Sequence, residues 1–345
     1  MCSSDLDDRR AGPQPLPPVS PREIAESRRH RVKTRLLGEA LHTDQLEHER
    51  LGRPTALAVF ASDALSSTAY ASEEILRTLI PVVGLLAFSL VLPITLAMVG
   101  VLVILIFSYR QTIKAYPSAG GAYIVTKDNL GLLPAQVAGV ALLTDYILTV
   151  AVSVSAGVAA LYSAFGALRP YRVPLALAFI VIIAWGNLRG VRESGEIFAV
   201  PTYLFLISMF GMIGAGVVKA VFGGGLQHVP IENHAVLGVQ ATAGIFLLLH
   251  AFASGGAAMT GVEAISNGVP AFKRPEWKNA RSTLMVMGAC LGMMFLGISW
   301  LAAKMHVVPN DRQTVIAQIA DNVFGHGAVG HAIFLFVQDR KSTRL

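Results

Sequence analysis

The stretch that decides the fold is residues 86–109, which read LAFSLVLPITLAMVGVLVILIFSY and contain no charged side chain. A helix needs about 20 apolar residues to cross about 30 Å of hydrocarbon, and this run exceeds that length. Lipid offers the backbone no hydrogen-bond partner, so a run of this kind is expected to be helical. The sequence therefore predicts an all-α integral membrane protein.

Comparable apolar runs recur on both sides of this stretch, and together they predict about eight spans. We place them at residues 55–80, 86–109, 134–166, 172–188, 196–222, 238–270, 282–304 and, cut short, 328–338. Spans one and six each contain a cluster of small residues near an acidic residue, and they lie five spans apart. An odd number of spans inverts the second copy of a repeat, which predicts an inverted repeat of 54–222 and a partial 238–338.

Composition excludes several classes of protein. The 345 residues are 53% hydrophobic and 14% charged, with a mean hydropathy of +0.56. Soluble domains carry about 25% charged residues, so a soluble domain, a disordered chain, a coiled coil and a nucleic-acid-binding domain are all disfavoured despite the net charge of +6. The two cysteines form no framework, and no cofactor is implied.

The ends of the chain differ from its centre. Residues 1–53 hold nine acidic and ten basic residues and no apolar signal-peptide core. They predict a disordered cytoplasmic arm with a short amphipathic helix, ahead of a transporter domain at 54–338. The tail 339–345 (DRKSTRL) is unlike that domain, and we expect a truncation there. Of the Lys and Arg residues outside that tail, 19 fall on the side of the N-terminus and six on the other, which predicts a cytoplasmic N-terminus.

The first polar segment inside a span is residues 60–74 (FASDALSSTAYASEE). Asp63 and Tyr70 are seven residues apart and share one face of a helix. Three small hydroxyl residues between them predict a locally unwound helix with free carbonyls. The alternative is that Asp63 caps a helix or pairs with a basic residue of another span.

The second segment is residues 144–157 (TDYILTVAVSVSAG). Asp145, Thr149 and Ser153 follow an i, i+4, i+8 spacing and form one stripe, with Tyr146 beside it. In the alternative interpretation, the hydroxyl residues are small packing residues of the kind found between membrane helices.

The third segment is residues 252–267 (FASGGAAMTGVEAISN), in which three glycines make a continuous helix costly. Thr260 and Glu263 follow the predicted break, and transporters bind substrates and coupling ions at such interruptions. The alternative is a packing cluster of glycines with Glu263 in a water-filled vestibule.

These three segments supply oxygen atoms that can coordinate a cation, and no Lys or Arg lies at a comparable depth in the predicted spans. Such a set suits a dehydrated alkali cation, and a carboxylate at the break, Glu263, can also carry a proton. The candidate ligands are Asp63, Tyr70, Asp145, Tyr146, Thr149, Thr260 and Glu263.

Several motifs resemble the amino acid–polyamine–organocation (APC) superfamily of transporters. They are PSAGGAYIVTKDNLG at 117–131 and TGVEAISNGVPAFKRPEWKNA at 260–280. Together with ASDALSSTAYASEEIL at 61–76 and LLTDYILTVAVSVSAG at 142–157, they are most similar to the bacterial potassium importers of that superfamily. The resemblance runs from about residue 50 to 338.

The resemblance implies a LeuT-like fold of five plus five helices, located in the bacterial plasma membrane, and import of K⁺ with H⁺. It implies that K⁺ is bound by Asp63, Tyr70, Asp145, Tyr146, Thr149, Ser153 and Thr260, with Glu263 linked to proton coupling. It also implies a homodimer and about twelve spans followed by a cyclic di-AMP-binding domain; that domain and the last spans are expected to be missing here.

Other functions stay open at this point. An amino acid permease of the same fold is the nearest, although a carboxylate at Asp63 would repel that of an amino acid. An intramembrane aspartyl protease could use Asp63 and Asp145 as a dyad, but no GxGD-like loop accompanies them. A non-transporting receptor is a third alternative. We expect a transporter, not an enzyme, whose partners are K⁺, H⁺ and lipid, with no nucleic acid.

Overall fold

The computed structural model describes residues 50–118, 120–188, 191–222, 226–229, 242–310 and 313–325. Within these ranges every regular element is a helix, which confirms the all-α prediction. The α-helices are α1 (Arg53–Val83), α2 (Ala87–Ala115), α3 (Gly121–Leu130), α4 (Leu132–Ala164), α5 (Arg172–Leu188), α6 (Val191–Phe222), α7 (Ile245–Gly255), α8 (Ala264–Asn267), α9 (Glu276–Met305) and α10 (Val315–Phe324).

Five stretches among the described residues are long and apolar enough to cross a membrane. They are Arg53–Ala115, which contains α1 and α2, and then Leu132–Tyr162, Gly166–Gly186, Ala199–Phe222 and Glu276–Met305. They agree with a multi-pass membrane protein. The predicted span at 328–338, the tail 339–345 and the arm up to residue 49 lie outside the described residues.

α1 lies at the centre of the described helices and packs against α2, α6, α7 and α9. At its core, Ser299 of α9 is hydrogen-bonded to Ser72 of α1 at 2.8 Å and to Thr95 of α2 at 2.9 Å, with all three side chains buried. Because each hydroxyl has a partner, three polar groups are buried there without an unpaired donor.

α4 and α5 form an outer layer with apolar side chains turned outward. Ile147 of α4 is 62% exposed and Val181 of α5 is 66% exposed. Apolar surface on this scale is disfavoured in water and suited to lipid. The difference in burial places the interior of the molecule around α1 and not around α4.

The prediction that the first span is locally unwound is wrong. α1 is a continuous helix of 31 residues from Arg53 to Val83. The hydroxyls of Ser66 and Ser67 donate to the Asp63 carbonyl at 2.9 and 3.0 Å, one turn back along the same helix. The segment contains no glycine, and these bonds add to the helical ones without replacing them.

The break predicted in residues 252–267 is confirmed. α7 ends at Gly255, a 3₁₀ turn follows at Gly256–Met259, and α8 begins only at Ala264. Gly261 has a φ of +79°, which L residues with side chains rarely adopt. A Cβ at Gly255 would lie 2.7 Å from Ile75 Cδ1, so glycine also permits the close approach of α7 to α1.

Candidate functional site

Three elements meet at Asp63, in the middle of α1. Ser153 of α4 donates from Oγ to Asp63 Oδ1 at 3.0 Å. On the other side, a Cβ built on Gly261 would lie 2.8 Å from Asp63 Oδ2. The carboxylate is therefore held between α4 and the interrupted segment between α7 and α8.

The three carboxylates predicted to share the site act on one another electrostatically. Asp145 acts on Asp63, and both act on Glu263. Negative charges repel one another, and water screens this repulsion less than at the surface because each carboxylate is half-buried. Oε1 of Glu263 is buried and has no hydrogen-bond partner among the described residues. This arrangement favours the binding of a cation or a proton.

The carboxylates do not converge on one point. Across the described ranges, no group of three or more His, Cys, Asp and Glu side chains is close enough to hold a metal ion. Beside Asp63, the Ser153 hydroxyl is a neutral oxygen that could coordinate a cation. Ligands of that type suit a weakly hydrated monovalent ion.

Tyr146 connects α4 to the interrupted segment. Nδ2 of Asn267, at the end of α8, donates to Tyr146 Oη at 2.6 Å. Tyr146 also interacts electrostatically with Asp63, Asp145 and Glu263. The phenol thus belongs to the same polar cluster as the carboxylates.

Two members of this cluster were not predicted from the sequence. Tyr109 of α2 interacts electrostatically with Glu263, Asp145 and Tyr146. Asn267 donates to Tyr146 and lies four residues after Glu263. This helical spacing is the signal from which Asn267 could have been predicted. Tyr109 ends an apolar run and resembles an ordinary interfacial tyrosine, so sequence alone gave no such signal.

A cavity of about 850 Å³ lies beside the cluster, between α1, α4, α6 and the end of α7. Tyr70 and Ser153 line it, together with Ser66. Tyr70 Oη is hydrogen-bonded to Ser67 Oγ at 3.0 Å. Since Ser153 both lines the cavity and donates to Asp63, this serine joins the cavity to the carboxylate.

The two threonines predicted to be ion ligands, Thr149 and Thr260, lie on different elements. Thr149 is buried, with 7% exposure, on α4 between the turns of Asp145 and Ser153. The Thr260 hydroxyl donates to the Ala257 carbonyl at 2.9 Å. Thr260 is therefore turned toward its own chain in this conformation, although it directly precedes Gly261.

Comparison with known proteins shows the family to which the chain belongs. Residues 51–337 match the profile of a family described as amino acid permease. The chain belongs to this family of the APC superfamily. A curated relative, the "Potassium transporter KimA" of Bacillus subtilis (strain 168), is 45% identical over 306 residues, which are 88% of this chain and 50% of the relative. The resemblance predicted from the motifs is confirmed, and the chain spans about half the length of that relative.

Proposed function

We propose that this protein imports K⁺ across the bacterial plasma membrane as a secondary active transporter coupled to H⁺. The observation that carries the proposal is the junction at Asp63, where α1, α4 and the segment around Gly261 meet. The similarity to a potassium transporter over most of the chain supports the choice of ion. Transport, not catalysis, is the proposed activity, and no cofactor is needed.

In this proposal, K⁺ is held at the Asp63 junction by oxygens from three elements. Carbonyls and hydroxyls replace water around the ion, while the carboxylates balance its charge. The proposed ligands are Asp63, Tyr70, Asp145, Tyr146, Thr149, Ser153 and Thr260. Since the Thr260 hydroxyl is bonded to Ala257 here, it would have to turn before it could reach the ion.

Glu263 is the proposed proton carrier. Its unpaired buried Oε1 is costly as a bare anion, because a buried charge needs a partner. A bound proton or a nearby cation would each remove that cost, so occupancy by one affects the other. Glu263→Gln is expected to abolish proton-driven uptake while the amount of protein in the membrane stays unchanged.

An amino acid permease is the second candidate, favoured by the description of the matching family. Its substrate carboxylate would need free backbone amides in the first helix. α1 is continuous, so its central amides are bonded within the helix, and Asp63 adds a negative charge at that point. These two features support a cation over an amino acid.

The wider arrangement is part of the same proposal. We place the N-terminus in the cytoplasm, with an arm at 1–53 and a LeuT-like transporter domain at 54–338, whose repeats are 54–222 and 238–338. Alternating access would involve α1 and the interrupted α7–α8 segment. A homodimer is also proposed from the resemblance. The orientation rests on the charge distribution, and the repeats and alternating access rest on the break at residues 256–263.

Rubidium uptake tests the proposed function. Bacteria that lack their own potassium uptake systems would express the gene that encodes this chain, and ⁸⁶Rb⁺ uptake would be measured with and without an inward proton gradient. We expect uptake that the gradient stimulates and that excess K⁺ inhibits. Uptake of amino acids without rubidium would instead establish the permease alternative.

A further inference from the structure

Glu73 on α1 is an almost fully buried carboxylate that the proposed ion site does not use. Its side chain is 7% exposed. Oε1 accepts from Arg77 Nη2 at 2.8 Å and from Arg77 Nε at 3.1 Å. Oε2 accepts from the backbone N–H of Val315 at 2.9 Å. Both oxygens are thus bonded to donors that carry full or partial positive charge.

The bond to Val315 lies at the first residue of α10. The amides at a helix N-terminus carry a partial positive charge, which a nearby carboxylate neutralises. At the other end of α10, Nζ of Lys219 donates to the Asn322 carbonyl at 2.7 Å. α10 is therefore held at both ends by charged side chains from α1 and α6 whose signs oppose its dipole.

Glu73 and Arg77 line the same 850 Å³ cavity as Tyr70 and Ser153. Thr314, the residue that caps α10, lines it as well. Two positive groups, the Arg77 guanidinium and the α10 N-terminus, therefore lie beside the space that leads to Asp63. The sign of the charge that lines a cleft sets the local concentration of small ions.

The second carboxylate near Arg77 is a weaker partner. Oε1 of Glu74 lies 3.9 Å from Arg77 Nε, and the Glu74 side chain is 47% exposed. An exposed pair at that distance contributes little because water screens it. Glu73, which is buried and directly bonded, is the stronger of these two carboxylate partners of Arg77.

We propose that Glu73 is a positioning residue of the cation path, which neutralises Arg77 and the N-terminus of α10 so that this cavity admits a monovalent cation. The inference rests on the proposed potassium transport. Glu73 does not contact the ion. It acts through the two positive groups that would otherwise repel a cation on its way to Ser153 and Asp63.

The variant Glu73→Gln removes the negative charge of the side chain and keeps its shape. The amide oxygen can still accept from Val315, but the negative charge is lost. We expect the KM for ⁸⁶Rb⁺ uptake to rise about tenfold, as the lining of the cavity loses one negative charge, with little change in maximal rate. Addition of Arg77→Gln should return the KM to within about twofold of the original value, since the summed charge of the lining is then the same as in the wild type.

The matched control is Asp128→Asn, which removes one carboxylate charge from an exposed position on α3. It should leave the KM unchanged, and immunoblots of membranes should show equal amounts of each variant. A normal KM for Glu73→Gln, or no rescue by Arg77→Gln, would overturn the inference while wild-type rubidium uptake still supports the proposed function. No uptake by the wild type would overturn both.

If Glu73→Gln fails to reach the membrane, Arg77→Gln alone decides. Loss of the guanidinium charge leaves the cavity more negative, so the KM for rubidium should equal or fall below that of the wild type. A raised KM in this variant would contradict the role assigned to Glu73, because it would mean that Arg77 assists the cation.

Discussion

α1 and the α7–α8 segment both carry small residues around a carboxylate, yet one is continuous and the other is broken. In α1, Ser66 and Ser67 bond back to a helical carbonyl and the helix continues for 31 residues. In the other segment, Gly255 and Gly261 coincide with the end of α7 and with a positive φ. Small hydroxyl residues are thus compatible with a continuous helix, whereas glycines allow the helix to end.

The difference supports the separate roles that we propose for the two acidic residues. Asp63 sits on a continuous helix and is bonded to Ser153, whereas Glu263 follows the irregular segment between α7 and α8. A fixed carboxylate suits an ion site, and one beside a break suits a step that changes during transport. Variants of both segments test this division, and they are ordered here from the largest expected effect to the smallest.

The largest effect is expected from Asp63→Asn. Asparagine can still accept the Ser153 hydrogen bond, so the geometry stays while the charge is lost. Rubidium uptake should fall at least about 100-fold, because a cation at this depth would lose its direct counter-charge. The measurement is initial uptake of ⁸⁶Rb⁺ per amount of protein in the membrane.

Asp128→Asn serves as the control for this variant too, since Asp128 is exposed on α3. Equal uptake by Asp63→Asn and the wild type would remove Asp63 from the ion site and, with it, the role proposed for the continuous helix.

Gly261→Ala is the next test, and it addresses the broken segment. Alanine at a φ of +79° costs about 1–2 kcal/mol, and its Cβ would lie 2.8 Å from Asp63 Oδ2. Uptake should fall about tenfold or more, because 1.4 kcal/mol corresponds to a factor of ten. Initial rates at several rubidium concentrations would separate a change in KM from one in maximal rate.

Gly256→Ala is the matched control within the same segment. Its φ of −54° is helical, and a Cβ there would meet no atom within 4 Å. This variant should transport normally. If both alanine variants behave alike, the conformation at Gly261 is not what holds the segment against Asp63.

The sequence predicted the membrane fold, the family and the break because each depends on local chemistry. Apolar runs must be helical in lipid, and glycines between residues 252 and 267 weaken a helix wherever they lie. The family motifs are long and ordered. These predictions require no knowledge of which residues are in contact in the folded protein.

The continuity of α1 and the further members of the polar cluster could not be predicted in the same way. A serine in a helix can free a carbonyl or bond to it, and only the packed structure decides between them. Tyr109 reaches the cluster because α2 lies beside α8. The bond from the Val315 N–H to the Glu73 carboxylate joins residues 242 positions apart, and no local pattern encodes such a contact.

Ser153→Ala should have a moderate effect. It removes the hydroxyl that donates to Asp63 Oδ1 but leaves the charge and both helices intact. A hydrogen bond to a charged group contributes about 1.5–3 kcal/mol, so the KM for rubidium should rise roughly tenfold. Ser155→Ala is the control and should be neutral, because among the described residues that hydroxyl donates to the Ala151 carbonyl of its own helix. Equal KM values for the two variants would argue against α4 as a support for Asp63.

The smallest effect is expected from Ser66→Ala, and it is the sharpest test of why α1 stays whole. If the helix is continuous because its own backbone bonds suffice, loss of the bond from Ser66 to the Asp63 carbonyl changes little, and alanine even favours the helix by a few tenths of a kcal/mol. Uptake should stay within about twofold of the wild type. A large loss would mean that transport requires α1 to open at Asp63, with the serine hydroxyl stabilising the freed carbonyl. Ser66→Gly then distinguishes the two explanations, because glycine would restore transport in an opening helix and would not improve it in a rigid one.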